Sequence, residues 1–375
     1  MGNFTKKLLI LLGLLVLLFV LWRIFPPTSR DGTDRGISGA MSRNKTVIPI
    51  ILSSDNNYAP QMYVAMFSVL KNAHKDTFYQ FHLLVPPNFD RKYKEEILEL
   101  GKKYICSIDF IDMEESFSDV LPGSYPSVVY YRLMAPELLP DCEKCLYMDV
   151  DVIVLDDLKE LYNTDLKDYY IAGVRDAWIF SRNPKERSEQ ISSILNIDAR
   201  ECINSGVVLM NLNLIHRDGL AEKLISVAKH GIDGKAPFPY PDQDTLNKVC
   251  CGRIKFLDLK YNAYACIFPE LEQSQKFRKP AEVFFGKKQF AEACKHPCII
   301  HFIGIKPWAN PAALHANLWW EYARQTPFCE EILYKQVAKN ACQGYGKILP
   351  ERIRNGVRNQ LQEQLQKMKY LPRGG

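Results

Sequence analysis

The chain has 375 residues, 47% of them hydrophobic and 24% charged, with a net charge of +5. That is enough for a large core in one big α/β domain with appendages, and too mildly basic for a nucleic-acid binder with a broad positive face. Eleven cysteines, odd in number and without a regular framework, argue against a disulfide-stapled secreted domain and fit a mostly unpaired set.

At the N-terminus Lys6-Lys7 precedes an apolar run, Leu8 to Trp22, that Arg23, Pro26 and Pro27 end. No small-x-small cleavage site follows closely, so residues 1–25 are predicted to be an uncleaved single-pass anchor. Arg23, Arg30, Arg35, Arg43 and Lys45 follow the span, and the positive-inside bias leans toward a catalytic domain on the cytoplasmic face. The alternative is a lumenal, Golgi-type orientation, in which Asn44-Lys-Thr46 would be a glycosylation acceptor. Residues 26–45, rich in Gly, Ser, Arg and Asp, read as a flexible linker.

The globular part begins at Val47. Val47 to Ser53 reads as a buried first strand, Asp55-Asn-Asn-Tyr58 as a turn, and Pro60 to Asn72 as a helix. Phe78 to Val85 and Ser107 to Asp112 follow as strands, flanking a helix from Asp90 to Lys103 with Ile97, Leu98 and Leu100 on its apolar side. Such βαβ alternation predicts a mixed, mostly parallel sheet with helices on both faces and ligands beyond the carboxyl ends of its strands. There is no G-x-G-x-x-G after the first strand and no Walker A lysine, which lowers the case for a dinucleotide enzyme or an ATPase.

A helical Ser127 to Leu139 leads to Cys145-Leu-Tyr-Met-Asp-Val-Asp-Val-Ile-Val154, which puts Asp149 and Asp151 on one side of an extended segment, where both can reach one cation. Two carboxylates holding a hard divalent ion suit the phosphates of a nucleotide. Cys142 and Cys145 form a C-x-x-C, with no second pair at a zinc-site spacing. Asn204-Ser-Gly206 introduces a strand, Val207 to Asn211, whose start fits a close backbone approach at Gly206; the alternative is a simple turn. Asp242-Gln-Asp244 opens a helical stretch, where Asp242 has an N-cap as its plain alternative. Cys298 to Trp308 is an apolar strand ending in His301, Gly304 and Lys306; a lone histidine there is more often a satisfied core residue than a ligand, while the glycine and lysine supply a backbone approach and a cation suited to a pyrophosphate. From Cys329 on, nine Lys/Arg oppose four Asp/Glu, and Pro350 to Tyr370 places Ile353, Val357, Leu361, Leu365 and Met368 at helical spacing. That basic tail could lie on an anionic membrane or dock on the domain.

Ser53-Ser-Asp-Asn-Asn-Tyr58, Tyr131-Arg-Leu133, Leu146 to Val152, Asn204 to Asn211, Asp242-Gln-Asp244 and His301 to Trp308 resemble, in that order, the motifs of glycosyltransferase family 8, the family of bacterial lipopolysaccharide α-galactosyl- and α-glucosyltransferases and of glycogenin. The resemblance implies a GT-A (Rossmann-like) catalytic domain over 46–328, flanked by the anchor and a basic helical tail, 329–375. It implies a retaining hexosyltransferase that takes galactose or glucose from a UDP-sugar to a glycan or glycolipid acceptor, with Mn²⁺ or alternatively Mg²⁺, in lipopolysaccharide or other surface glycan synthesis. By motif position Asp149, Asp151 and His301 are the metal ligands, and Ser53, Asp55, Asn57, Tyr58 and Val150 hold the nucleotide. Gly304 and Lys306 hold the diphosphate, while Arg132, Asp176, Asn204, Asp242 and Gln243 surround the sugar, with Gln243 near the anomeric carbon. Two departures stand out: Asn56 occupies a position often acidic, and the segment from Gly304 to Lys306 is one residue short. The Asp-x-Asp-x-Val pattern also matches haloacid-dehalogenase-type phosphatases, and a non-catalytic glycan-binding protein is the third reading.

Overall fold

The computed structural model describes residues 45–113, 126–180, 184–231, 238–267, 275–310 and 313–345. The expected anchor, nearly all of the linker, Asn44 and the basic stretch from Pro350 lie outside them. Among the described residues no helix is long and apolar enough to cross a membrane.

Among the described residues ten strands carry the fold: β1 (Thr46–Ser53), β2 (Thr77–Val85), β3 (Cys106–Asp112), β4 (Lys144–Met148), β5 (Val152–Val154), β6 (Ile171–Arg175), β7 (Ile203–Asn211), β8 (Ile254–Phe256), β9 (Ala263–Tyr264) and β10 (Ile299–His301). Seven form one sheet in the order β3-β2-β1-β4-β7-β6-β8, and β5-β10-β9 form a second, small one. In the large sheet β7 runs antiparallel to both β4 and β6, and the other pairings are parallel. The expected mixed, mostly parallel sheet is therefore present, and the small sheet is an addition to it.

The longer helices among the described residues are α1 (Ala59–Lys71), α2 (Arg91–Lys103), α3 (Pro184–Leu195), α4 (Leu220–His230), α5 (Pro241–Val249), α6 (Gln275–Phe285), α7 (Lys287–Lys295), α8 (Ala316–Ala323) and α9 (Cys329–Tyr345). Strand alternation sorts their partners. Ile48, Ile50 and Leu52 of β1, with Leu146 and Met148 of β4 and Val207 and Leu209 of β7, face the core that α1, α2 and α8 cover. Ile51, Cys145, Tyr147, Val208 and Met210 point the other way, toward α4 and α5. Both faces of the central strands are buried, which is why these strands are continuously apolar.

Three expected elements differ. Leu98 is 44% exposed, while Ile97 and Leu100 are buried; one residue of helix rotates a side chain by about 100°, which takes Leu98 off the stripe. Ser127 to Leu139 is a run of short 3₁₀ turns and a single α-turn, Ala135–Leu138, as expected of a segment broken by Pro126 and Pro136. Strand β7 begins at Ile203, so Gly206 lies inside it.

At the C-terminal end, Phe328 stacks edge-on with Tyr63 and Tyr93, at 5.3 and 5.5 Å, and Ile332 of α9 is buried in the main core. Glu331 accepts a hydrogen bond from the Tyr93 hydroxyl and pairs with Lys92 and Lys335 at 3.0 and 2.9 Å. The start of α9 is thereby fastened to α2.

Candidate active site

Strands β1 and β4 are parallel neighbours, so their carboxyl ends open on the same edge of the sheet. After β1, Asp55 ties a turn by accepting from the backbone N–H of Asn57 and Tyr58, at 2.9 and 3.1 Å, and from the Asn57 amide. Pro60 then sits within the first turn of α1. Asn57 and Tyr58 are exposed, and the Tyr58 ring lies edge-on to Trp308 at 6.0 Å, which sets this turn against the segment after His301. Ser53 is buried at the end of β1. Asn56 bridges elsewhere, donating to Asn88 O and accepting from Asp90 N–H. It fixes the loop that enters α2.

Asp149 and Asp151 are not on a strand. β4 stops at Met148 and the chain bends before β5 joins the other sheet. The two carboxylates converge because of that bend, and not through the strand alternation that the sequence suggests. Asp149 N–H donates to Gly206 O at 2.8 Å, and Phe302 N–H donates to Asp151 O at 2.9 Å, so each sheet holds one end of the bend. Val150, between them, packs against the main core. His301 closes strand β10 opposite Val152, buried at 3% exposure. One ligand atom from each of Asp149, Asp151 and His301 lies within 4.8 Å of the others.

The supporting contacts decide which oxygens are free. Asp149 Oδ1 accepts from the Tyr147 hydroxyl and from Arg132 Nη2, both at 2.8 Å. That leaves Oδ2, which lies 3.8 Å from His301 Nε2. Asp151 Oδ2 pairs with Lys306, and its Oδ1 is 3.1 Å from His301 Nε2. Arg132 is buried: Nε donates to Val129 O, Nη1 to Ser205 O, and Nη1 lies 3.1 Å from Asp242 Oδ2. Its guanidinium also covers the Tyr147 ring at 4.1 Å. Burial works against the Arg132 charge, but Asp149 and Asp242 outweigh it and raise its pKa above the ordinary arginine value. For Asp151 burial likewise favours the neutral acid, and Lys306 with His301 outweighs it to hold the carboxylate ionised.

Lys306 also donates to Phe302 O at 2.8 Å, and Gly304, exposed at φ +81°, supplies the left-handed residue that lets the shortened segment turn. The missing residue does not prevent Lys306 from reaching the cluster. Gly206 lies against the same group. A Cβ there would come within 2.2 Å of His301 Cε1 and 2.9 Å of Asp149 Oδ2. The close approach foreseen at Gly206 is real, and its partner is an imidazole.

The remaining expected residues gather beside this group. Asp242 is not an N-cap: α5 starts at Pro241 after Tyr240, and Asp242 turns its carboxylate to Ser205 Oγ at 2.9 Å and to Arg132. Gln243, one residue on, accepts from Asn204 Nδ2 and Ser205 N–H and donates to Asp176 Oδ2 at 3.0 Å. Asp176 follows the irregular end of β6, where the β6–β7 register shifts between Gly173 and Arg175. Its other oxygen accepts from the Tyr264 hydroxyl at 2.8 Å. Sequence reasoning misses four supporting residues: Tyr147, Ser205, Asn262 and Tyr264. Asn262, a buried amide in the apolar stretch Leu259 to Ile267, is the detectable one.

A twisted, mostly parallel sheet with a carboxylate–carboxylate–imidazole group beyond its central strands is the architecture of a GT-A glycosyltransferase. The sequence matches Glycosyl transferase family 8 over residues 49–312, and the chain belongs to that family. It is 30% identical over 273 residues to a Haemophilus influenzae protein named only as a glycosyltransferase, covering 72% of this chain and 74% of that one. It is 26% identical over 262 residues to the lipopolysaccharide 1,2-glucosyltransferase of Escherichia coli, covering 68% and 70%. Among solved structures it resembles the galactosyltransferase LgtC in complex with donor and acceptor sugar analogues, at 25% identity and a TM-score of 0.58, over 75% of this chain and 96% of that one. The chain is therefore a glycosyltransferase, and the phosphatase and glycan-binding readings fall away.

Proposed function

We propose that this chain is a retaining hexosyltransferase that moves galactose or glucose from a UDP-sugar to a glycan or glycolipid acceptor with Mn²⁺ as cofactor. One observation carries the proposal: Asp149 Oδ2, Asp151 Oδ1 and His301 Nε2 converge at the end of β4, beside the Asp55 turn and Lys306. Two carboxylates and an imidazole suit a first-row divalent ion. When bound, that ion neutralises charge on the diphosphate as it leaves.

The chain's own residues supply the rest. Ser53, Asp55, Asn57, Tyr58 and Val150 hold the uridine, while Gly304 brings backbone close to the diphosphate and Lys306 supplies an ammonium to it. Arg132, Asp176, Asn204 and Asp242 orient the sugar. Gln243 is an amide already engaged through both ends, which makes it a poor nucleophile and argues against a covalent glycosyl-enzyme. Attack therefore comes from the acceptor hydroxyl on the leaving-group face. The acceptor oxygen bonds to the anomeric carbon as its bond to the phosphate oxygen breaks, and the hydroxyl proton passes to that phosphate oxygen. Relatives named for lipopolysaccharide synthesis support a surface-glycan acceptor. The apolar N-terminal run supports a membrane location, the Arg and Lys residues that follow it support a catalytic domain on the cytoplasmic face, and the basic tail from Pro350 would add to the membrane contact.

The test is turnover and thermal protection of the chain with a panel of UDP-sugars, with and without Mn²⁺, beside Asp151→Ala. Metal-dependent turnover of one UDP-hexose, lost in Asp151→Ala, with the anomeric configuration of the product retained by NMR, is expected. Equal behaviour of the variant, or inversion, would refute the proposal.

A further inference from the structure

Three side-chain amides stand in line between His301 and Asp176, and two backbone N–H groups fix their direction. The two ends of an amide have the same shape but opposite hydrogen-bonding roles, whereas a backbone N–H only donates. Gly206 N–H meets Asn204 at 3.0 Å and Ser205 N–H meets Gln243 at 3.2 Å, so the atoms they meet are oxygens, Asn204 Oδ1 and Gln243 Oε1. Asn262 also faces Asn204 Oδ1, at 2.8 Å, and must present a donor there, its Nδ2. Its other end, Oδ1, then lies 2.9 Å from His301 Nδ1, which must carry a proton. In the opposite direction Asn204 Nδ2 donates to Gln243 Oε1 at 3.1 Å and Gln243 Nε2 to Asp176 Oδ2 at 3.0 Å. Every amide thus donates toward Asp176.

We infer that Asn262 is a positioning residue that couples the two halves of the site: it holds the proton of His301 on Nδ1, so that Nε2 faces Asp149 and Asp151, and through Asn204 it keeps the Gln243 amide turned toward Asp176. The inference rests on His301 being a metal ligand. Asn262 is fully buried in the 3₁₀ turn Leu259–Asn262 that leads into β9, a strand paired with β10. Residues behind a ligating histidine fix its tautomer, and a carboxylate often serves. Here a carboxylate would fail in a specific way. The carboxylate introduced by Asn262→Asp would still accept from Nδ1 but would set a second acceptor against Asn204 Oδ1. Relief requires Asn204 to turn over and abandon Gly206 N–H. Gln243 would then turn as well, losing Ser205 N–H and setting its oxygen against Asp176.

The first measurement is ¹⁵N NMR of the full chain with labelled histidine, with His301 assigned from the signal lost in His301→Gln, metal-free and with Mg²⁺ as a diamagnetic ion. A protonated Nδ1 in both conditions is expected, and an Nδ1 without a proton overturns the inference. The second is Mn²⁺ binding by electron paramagnetic resonance beside turnover of the UDP-sugar. Asn262→Ala should weaken Mn²⁺ binding about 10- to 100-fold. Asn262→Asp should keep it within about threefold while kcat falls at least about tenfold, a split that a packing role would not give. Equal weakening of Mn²⁺ binding by the two variants, or full turnover by Asn262→Asp, overturns it. A wild-type chain that turns over no UDP-sugar refutes the proposed function alone, because the Nδ1 proton and the Mn²⁺ affinities are still read. If Asn262→Ala does not fold, the Nδ1 measurement on the wild type decides.

Discussion

Gly206→Ala adds one methyl group to the middle of the site. The backbone of Gly206 is ordinary β7 strand paired with β4, so alanine carries no conformational penalty and only space is at issue. Its Cβ would lie 2.2 Å from His301 Cε1, 2.8 Å from Nδ1 and 2.9 Å from Asp149 Oδ2. Carbon atoms in contact sit about 3.5–4.0 Å apart, so the imidazole must retreat by roughly 1.3 Å or more. It has little room, with Asn262 on one ring nitrogen, Asp151 at the other and the Tyr264 ring edge-on at 6.2 Å. Metal sites tolerate about 0.2 Å in ligand distance. Displacement on this scale should weaken Mn²⁺ binding about 10- to 100-fold, the loss typical of a disturbed histidine ligand. Overpacking should cost about 1–3 kcal/mol of stability in addition. Mn²⁺ titration followed by electron paramagnetic resonance, beside thermal unfolding without metal, reads both. A Mn²⁺ affinity within about twofold of wild type in a folded variant would show that His301 is not held as described. A wild-type chain that binds no Mn²⁺ would refute the metal reading, but the loss of stability should remain.

Arg132→Lys keeps the charge but cannot reproduce the donors to Val129 O, Ser205 O and Asp149. We expect a loss of about 1–3 kcal/mol in denaturant unfolding and at least about tenfold lower turnover; wild-type values for both would contradict the arrangement around Asp149. Glu331→Gln tests the clasp on α9. Burial favours the neutral acid there, but the Tyr93 hydrogen bond with Lys335 and Lys92 outweighs it and lowers the Glu331 pKa from 4.5 to about 2. The folded-state value lies below the unfolded one, so the stabilisation is complete above about pH 4.5 and fades as pH falls toward 2. The shift corresponds to about 3 kcal/mol at most, and about 2 kcal/mol after screening of the half-exposed Lys335. Thermal unfolding should therefore separate wild type from variant at about pH 7, with the gap falling below half by about pH 3 and closing toward pH 2; a gap that is constant with pH would contradict it. Gly101→Ala works in the other direction. Its Cβ meets only Ile108 at an ordinary 3.7 Å, at an exposed position of α2, so helix propensity should raise stability by up to about 1 kcal/mol with turnover unchanged.

The parts of the site that can be read in the sequence are those where charge interrupts an apolar run. Asp149 follows the mostly apolar β4, Asp151 precedes β5 and His301 ends β10, and a buried charge requires a partner. The parallel half of the large sheet is legible for a similar reason, because β1, β2 and β3 are separated by helices with clear caps or prolines. The small sheet is not legible. β5 and β10 have three residues each and β9 has two, too few for any period to register. Without that sheet neither the bend at Asp149 nor the position of Asn262 against His301 follows from the sequence. Asp242 resembles a cap in the sequence because Pro241, which is favoured in the first helical turn, moves the start of α5 one residue earlier than the acidic pair suggests.

The charge balance of the site fits a divalent ion. With His301 neutral, as a histidine is when its Nε2 binds a metal, three carboxylates, those of Asp149, Asp151 and Asp242, converge on two cations, Arg132 and Lys306, an excess of one negative charge. Arg132 is enclosed and shared between Asp149 and Asp242, so it cannot be released without leaving both uncompensated. Lys306 is different. It reaches the cluster from a segment that turns at exposed Gly304 and has Asp151 as its single carboxylate partner among the described ion pairs. If it swings to a diphosphate, the excess becomes two, the charge that one divalent ion supplies. The oxygens then left unpaired are Asp149 Oδ2 and both oxygens of Asp151, on the side that His301 Nε2 faces. The same movement would give the leaving phosphate an ammonium group and open the place for the ion. Lys306→Ala should accordingly leave Mn²⁺ binding intact or tighter while it weakens UDP binding, and parallel weakening of both would contradict this exchange.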